Sequence, residues 1–433
     1  MMEKRFLDER GQTAILSVIF FTILMMILTV SFMKIVAAEQ TQTTNNELEA
    51  SAMASAESGI EDAKRVITYC TSTAGASDPG CAAAIGSGNP SNTSCTAVNS
   101  VLSAAGAVGT ANTTNSQIQV GTTGNQYYSC LIINMLTADY TGTLTADGQS
   151  QIIPLDLVKA DGSPATAAYI AIQWHSNQVD GDGAATTPLA NSDLPSVGIW
   201  TAAGTNRPAV LRAEVAQVPS SYTIDTLTGA ARAVTLRPSS SPDNAFGASS
   251  LTAPAGVGTG IGLSGSLPAY SIDSWTPGIN PNSMTNTVTG ATTATPLLQK
   301  NCSTAAGGYQ CYVILTNKDV STDTKTFVPM DTTTGSGSYL RLQAIYRPAH
   351  YRITAYDASG NQLYFNGVEP SVDVTGRTSD SYKRLKARLV PANNNGNTSA
   401  DSWFPEYAVD TGGQVCKDLK VTSSTSGIDN DCY

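Results

Sequence analysis

Hydrophobic and polar positions divide the chain into a helical regime at its start and a strand-like regime beyond it. A polar head, Met1 to Gly11, carries Lys4, Arg5 and Arg10, and the apolar run Ala14 to Val36 follows, broken only by Ser17, Thr22, Thr29, Ser31 and Lys34. As a helix that run is roughly 34 Å long, enough for a hydrocarbon core of about 30 Å, and the basic head is expected on the cytoplasmic side. The competing reading is a cleaved secretory signal ending near Ala38, whose apolar region would be expected to span only about 7 to 15 residues. Past the apolar run, Met53, Ala56, Ile60, Ala63 and Ile67 recur at helical spacing, while Glu47, Glu49, Glu57, Glu61, Asp62 and Lys64 fill other positions. No proline lies between Gln12 and Thr68 and Gly59 is the sole glycine there, which predicts one helix over 12–68, roughly 85 Å long. Its outer half should pack on a following domain and its inner half on lipid or other helices.

The remaining chain reads as β. Runs rich in Val, Ile, Tyr, Leu and Thr lie between turn-forming clusters: Gln126 to Asn134, Gln151 to Val158, Ala168 to Trp174, Pro208 to Val218, Ala231 to Arg237, Tyr309 to Thr316, Ser338 to Arg347, Tyr351 to Tyr356, Gln362 to Phe365 and Tyr382 to Val390. The expected fold class is therefore α+β, a long N-terminal helix followed by a large β region. A Ser, Gly, Pro, Thr and Asn mixture over 238–296 predicts a linker or long loop, dividing the β region into a first module, 69–237, and a second, 297–433. Faint similarity between Tyr128-Ser129-Cys130-Leu131-Ile132 and Tyr309-Gln310-Cys311-Tyr312-Val313 leaves open whether the modules are related.

Composition narrows the chemistry. Lys and Arg number 24 against 34 Asp and Glu, a net charge of -10, and the basic residues do not cluster, so no nucleic-acid partner is expected. Only 13% of the 433 residues are charged, leaving neutral side chains to cover the surface, as in extracellular β proteins. Two histidines, His175 and His350, exclude a His-rich metal site, and no metal or other cofactor is expected. Asp180-Gly181-Asp182-Gly183 places two carboxylates in one turn, a weak calcium signal without the later acidic ligand of an EF-hand loop. Gly260-Ile261-Gly262-Leu263-Ser264-Gly265 matches GxGxxG but neither follows a strand nor opens a helix, so it reads as a loop. No Ser, His and acid combination marks a catalyst, and the sequons at Asn92, Asn112, Asn301 and Asn397 are expected by chance. Eight cysteines, all beyond the apolar run and none in a CxxC pair, predict disulfides. Cys416 and Cys432 enclose a terminal loop whose closure contributes roughly 3 kcal/mol in the chain-entropy model. Cys302 and Cys311 are placed for a local staple. Cys70, Cys81, Cys95 and Cys130 permit three pairings, and Cys70 is expected to tie the long helix to the β region.

The basic head ending in Gly11, the apolar stretch directly after it and the continuation through Ala52, Ala56, Glu57, Gly59, Ile60 and Ala63 together resemble a type IV prepilin, closest to minor pilins of the PilX type. The resemblance covers about the first 65 residues. It implies cleavage between Gly11 and Gln12 by a membrane prepilin peptidase, methylation of the new N-terminus, and assembly with other pilin subunits through helix positions such as Leu16, Ile23 and Ile27. It also implies a precursor in the bacterial cytoplasmic membrane and a mature subunit in a surface filament, handled by pilus assembly machinery and serving adhesion, motility or uptake. A C-terminal disulfide loop, here Cys416–Cys432, fits the same resemblance. Two positions depart from the family pattern: Gln12 stands where phenylalanine is usual, and Leu16 where most pilins have a glutamate. The readings from other classes are an anchored carbohydrate-active enzyme, for which no carboxylate pair is identifiable, and an anchored adhesin using Trp174, Trp200, Trp275 or Trp403 against a sugar face.

Overall fold

A single unbroken helix, α1 (Phe6–Thr71), opens the chain and is roughly 99 Å long at 1.5 Å per residue. The computed structural model describes residues 6–389 apart from 76, 86–94, 108, 113–116, 121–124, 147–149, 184–196, 203, 219–230, 240–243, 246–248, 273–296, 303–305, 319–323, 325 and 328–336. From Ser51 onward α1 lies on a sheet, burying Ala52, Ala56, Ile60, Ala63, Val66, Ile67 and Cys70. The expected stripe is corrected at one position: Met53 is exposed and Ala52 takes its place. The reason is steric. A Cβ on Gly59 would sit 2.6 Å from Val374 Cγ2, and one on Gly376 would overlap the Ala52 carbonyl oxygen, so at these two points helix and sheet approach too closely for a larger side chain. The helix ends beside α2 (Pro79–Ala84), where Asp78 caps the new N-terminus by accepting from Gly80 N at 2.8 Å and Pro79 occupies the first turn.

Eighteen strands follow among the described residues: β1 (Thr110–Asn112), β2 (Gln117–Gln119), β3 (Gln126–Thr137), β4 (Tyr140–Leu144), β5 (Gln151–Pro154), β6 (Leu157–Val158), β7 (Tyr169–Ser176), β8 (Val210–Val218), β9 (Ala231–Ser239), β10 (Asn244–Ala245), β11 (Ser249–Thr252), β12 (Pro268–Ser271), β13 (Leu297–Asn301), β14 (Tyr309–Thr316), β15 (Gly337–Ile345), β16 (Ala349–Tyr356), β17 (Gln362–Thr378) and β18 (Ser381–Arg388). Every expected run contains a strand, and the last but one, Gln362 to Phe365, continues to Thr378. A twelve-stranded sheet runs β1-β2-β3-β17-β16-β7-β14-β12-β11, with β18 and β6 also on β17 and β4 on β16; a six-stranded sheet runs β10-β13-β9-β8-β15-β5. Trp174, Val313 and Ile353 of the first sheet meet Leu211, Leu236 and Leu342 of the second in one core, forming a sandwich.

The two expected modules are not separate. β7 lies between β14 and β16, and β9 and β8 between β13 and β15, so strands from 69–237 and 297–433 are intermixed in both sheets. Nor is 238–296 only a linker, since β11 and β12 form an edge of the large sheet. The described residues divide elsewhere. A second core gathers Ala56, Ile60, Ala63 and Val66 of α1 with Tyr128, Leu131 and Ile133 of β3 and Val372 and Val374 of β17. A helix-bearing body thus comprises 6–136 with 371–389, and the sandwich, 140–365, is inserted between β3 and the outer part of β17. Strand pairing across such sequence separations leaves no local signal, because the alternation that marks a strand does not name its neighbour.

Disulfides fasten both bodies. Cys70 bonds Cys81 in α2, so it ties the long helix to α2 and not, as expected, to the β region, while Cys95 bonds Cys130 in β3. Cys302, just beyond β13, bonds Cys311 of β14 and thereby joins the two sheets of the sandwich. Cys416 and Cys432 lie outside the described residues.

Candidate functional site: the N-terminal helix and its seat

The helix has two unlike halves. Between Ile15 and Ile35 its large apolar side chains are 43% to 71% exposed, with Leu16 at 65%, Ile23 at 53% and Ile27 at 61%. Exposing such a run to water is unfavourable by about 25 cal/mol per Å² of apolar surface, so this half is built for a nonaqueous neighbour. Its polar interruptions are already satisfied within the helix. Thr22 donates to the Ile19 carbonyl at 2.8 Å, Thr29 to Met25 at 2.7 Å and Ser31 to Ile27 at 2.8 Å. Lys34, near the outer end, has a long stem that can carry its ammonium to an interface. Among the described residues one helix is long and apolar enough to cross a membrane, and it is this one, a candidate anchor or signal. Gly11 and Gln12 lie within α1.

The other half is seated by polar contacts as well as by small residues. Ser51 Oγ, at the start of the seat, accepts from Gln126 Nε2 at 2.7 Å and from Thr378 Oγ1 at 3.1 Å, meeting β3 and β17 together. Lys383 of β18 pairs with Glu49 at 2.8 Å, and Arg65 donates to the Gly106 carbonyl at 2.8 Å. Midway, buried Asp62 accepts at Oδ2 from the Tyr128 hydroxyl at 2.8 Å and from Gly109 N at 2.9 Å. Burial, and then the Asp62 carboxylate beside it, push the Tyr128 hydroxyl far above its ordinary range. Sequence periodicity leaves Asp62 off the apolar stripe, among the polar positions of the helix. The only available signal was its position one residue before Ala63, on the flank of the buried stripe.

The other sequence candidates resolve differently. Asp180 is consumed by the fold: Oδ1 meets His350 Nδ1 at 2.7 Å, and Oδ2 accepts from Ser176 N at 2.8 Å and His350 N at 3.0 Å. These donors hold its carboxyl below the usual range although burial pulls the other way. Asp182 joins it only through the backbone, where Asn206 Nδ2 reaches both carbonyls. No group of three or more metal-ligating side chains occurs among the described residues. Trp174 and Trp200 are buried, with their indole N–H groups donating at 3.0 Å to the Ala209 and Pro208 carbonyls, so neither offers a sugar-stacking face. Trp275 and Trp403 lie outside the described residues. Across Gly260–Gly265 the chain forms a tight loop whose Ile261 and Leu263 plug a small core with Tyr169 and Tyr356.

Compared with family models, curated proteins and solved structures, the chain matches none.

Proposed function

We propose that this protein is a subunit of a type IV pilus or related filament, inserted first as a membrane precursor and cut between Gly11 and Gln12. The observation that carries the reading is the division of α1, whose apolar half is exposed while its continuation is seated on a sheet through Ala52, Ala56, Gly59 and Ala63. Such a rod can exchange lipid for equivalent helices of other subunits without disturbing the body attached to it. Leu16 cannot supply the carboxylate that most pilins carry at that position, so either shape and apolar burial along Leu16, Ile23 and Ile27 set the register or the subunit occupies a position where that contact is unnecessary. In this reading the helix-bearing body builds the filament and the inserted sandwich faces the medium for adhesion, motility or uptake. The protein acts by assembly and display, with prepilin peptidase, assembly machinery and other subunits as its partners.

Mass spectrometry of the mature N-terminus, in membrane and sheared surface fractions, tests the proposal. Gln12 as first residue, methylated, in sheared material is the expected result. A chain beginning at Glu39 establishes an ordinary signal peptide, and wild-type subunits confined to membranes make the protein an anchored surface protein. Ile23→Asp, which costs about 2.5 to 3.5 kcal/mol on insertion scales, should deplete the subunit from filaments.

A further inference from the structure

The inserted sandwich is joined to the helix-bearing body, among the described residues, where the chain passes from β3 to β4 and where β17 bends. The second crossing is marked in the backbone. β17 shifts register against β3 between Asn366 and Ser371, with Gly367 at φ 68°, a conformation that favours glycine. On one side of this bend β17 contributes Leu363 and Phe365 to the sandwich core, and on the other Val372 and Val374 to the helix core. α1 packs on β3, β17 and β18.

A compact set of charges bridges the same place. Asp139 stands in the β3–β4 connection and Glu369 in the bend of β17. Arg352, from β16 of the sandwich, donates through Nε to Asp139 Oδ2 at 2.6 Å. Arg388, from β18 of the helix-bearing body, donates to Asp139 Oδ1 at 2.6 Å, to the Asp139 carbonyl at 3.0 Å and to Glu369 Oε2 at 2.9 Å. One aspartate at the crossing is thus shared by an arginine from each body. Both carboxylates are largely shielded, with side chains 12% and 11% exposed, so these contacts are screened far less than surface pairs.

We infer that Arg352–Asp139–Arg388–Glu369 is an ionic clamp that sets the angle between the sandwich and the helix-bearing body, which turn about the 137–140 and 366–371 crossings as a hinge. The two bodies have distinct cores and, among the described residues, share the large sheet only through β17 and its pairing with β3, so releasing the clamp should change the angle while both bodies stay folded. Charges suit a clamp of this kind because they are directional and, unlike a continuous apolar core, can open without exposing large apolar area. For a displayed body the consequence is a defined orientation at rest and freedom to turn when the clamp is released. The inference does not depend on filament assembly.

The test uses the full chain in detergent micelles, with fluorescent unnatural residues at Glu57 of α1 and Val179 of the sandwich, both exposed. Time-resolved energy transfer between them should give one narrow distance distribution in the wild type. Arg388→Ala and Arg352→Ala, which open the clamp from opposite sides, should each broaden it, and Asp139→Asn should do the same. Arg384→Ala, which breaks a pair with Asp373 inside the helix-bearing body alone, should leave it narrow. Amide exchange at Val313 and Val372 should stay slow in all four. Distributions as narrow as wild type in the three clamp variants overturn the inference. So does loss of protection in both cores together, which would make the cluster part of one cooperative unit.

Discussion

The Tyr128 hydroxyl donates to Asp62 Oδ2 at 2.8 Å, which fixes the middle of β3 to the helix that crosses it. Gly109 N donates to the same oxygen at 2.9 Å, so a buried carboxylate holds helix, strand and loop at one point. Tyr128→Phe removes one donor and leaves Asp62 partly unsatisfied, at an expected cost of about 1 to 3 kcal/mol. Chemical unfolding of the full chain in micelles measures it, and a change within error would show that the contact is idle. Because the folded state holds the Tyr128 proton more tightly than the unfolded chain does, this contribution should be lost as pH rises above about 10, the ordinary tyrosine value.

Closeness of helix and sheet makes a second prediction at Gly376. An added methyl would overlap the Ala52 carbonyl oxygen, and backbone on both sides leaves little room to yield. Gly376→Ala should destabilise the helix-bearing body by about 1 to 3 kcal/mol, the usual range for overpacking. Gly198→Ala, where a Cβ would meet nothing within 4 Å, should fall within about 0.5 kcal/mol of wild type. Equal effects at the two sites would refute the close seam.

His175 lies in β7 beside Trp174, buried and with φ at 63°. Burial pushes its imidazole below the ordinary value, outweighing the pull of Asp180. The unfolded chain therefore takes up a proton near pH 6.5 that the folded sandwich refuses, and stability should fall as pH drops below about 6.5. His175→Asn keeps a residue that tolerates the left-handed backbone and should flatten this part of the pH profile. Stability followed from pH 8 to pH 5 in both proteins decides the matter.

Covalent mapping gives a fourth prediction. Peptides from unreduced protein should contain Cys70–Cys81, Cys95–Cys130 and Cys302–Cys311. The two remaining cysteines, Cys416 and Cys432, are expected to pair, and a free thiol at either one in native protein would count against it. Separately replacing Cys302 and Cys311 by Ser should loosen the contact between β13 and β14 without releasing α1.

Local patterns determined much of this protein. A helix needs only its own neighbours, so the absence of proline and the apolar run from Ala14 were enough to place α1, and runs rich in Val, Ile, Tyr, Leu and Thr between turn clusters were enough to mark ten strand-bearing segments. Which residues shared a face was harder where size mattered more than hydrophobicity, as the exchange of Met53 for Ala52 shows. Tertiary structure alone decided the rest. Pairing β7 with β14 and β16, or closing β3 on β17, joins residues far apart in sequence, and the gain comes from cores that no single segment contains. The same holds for Asp62 and for Asp139: each is a polar residue in the sequence, and only the strands brought against it supply the donors that make it a seat or a clamp.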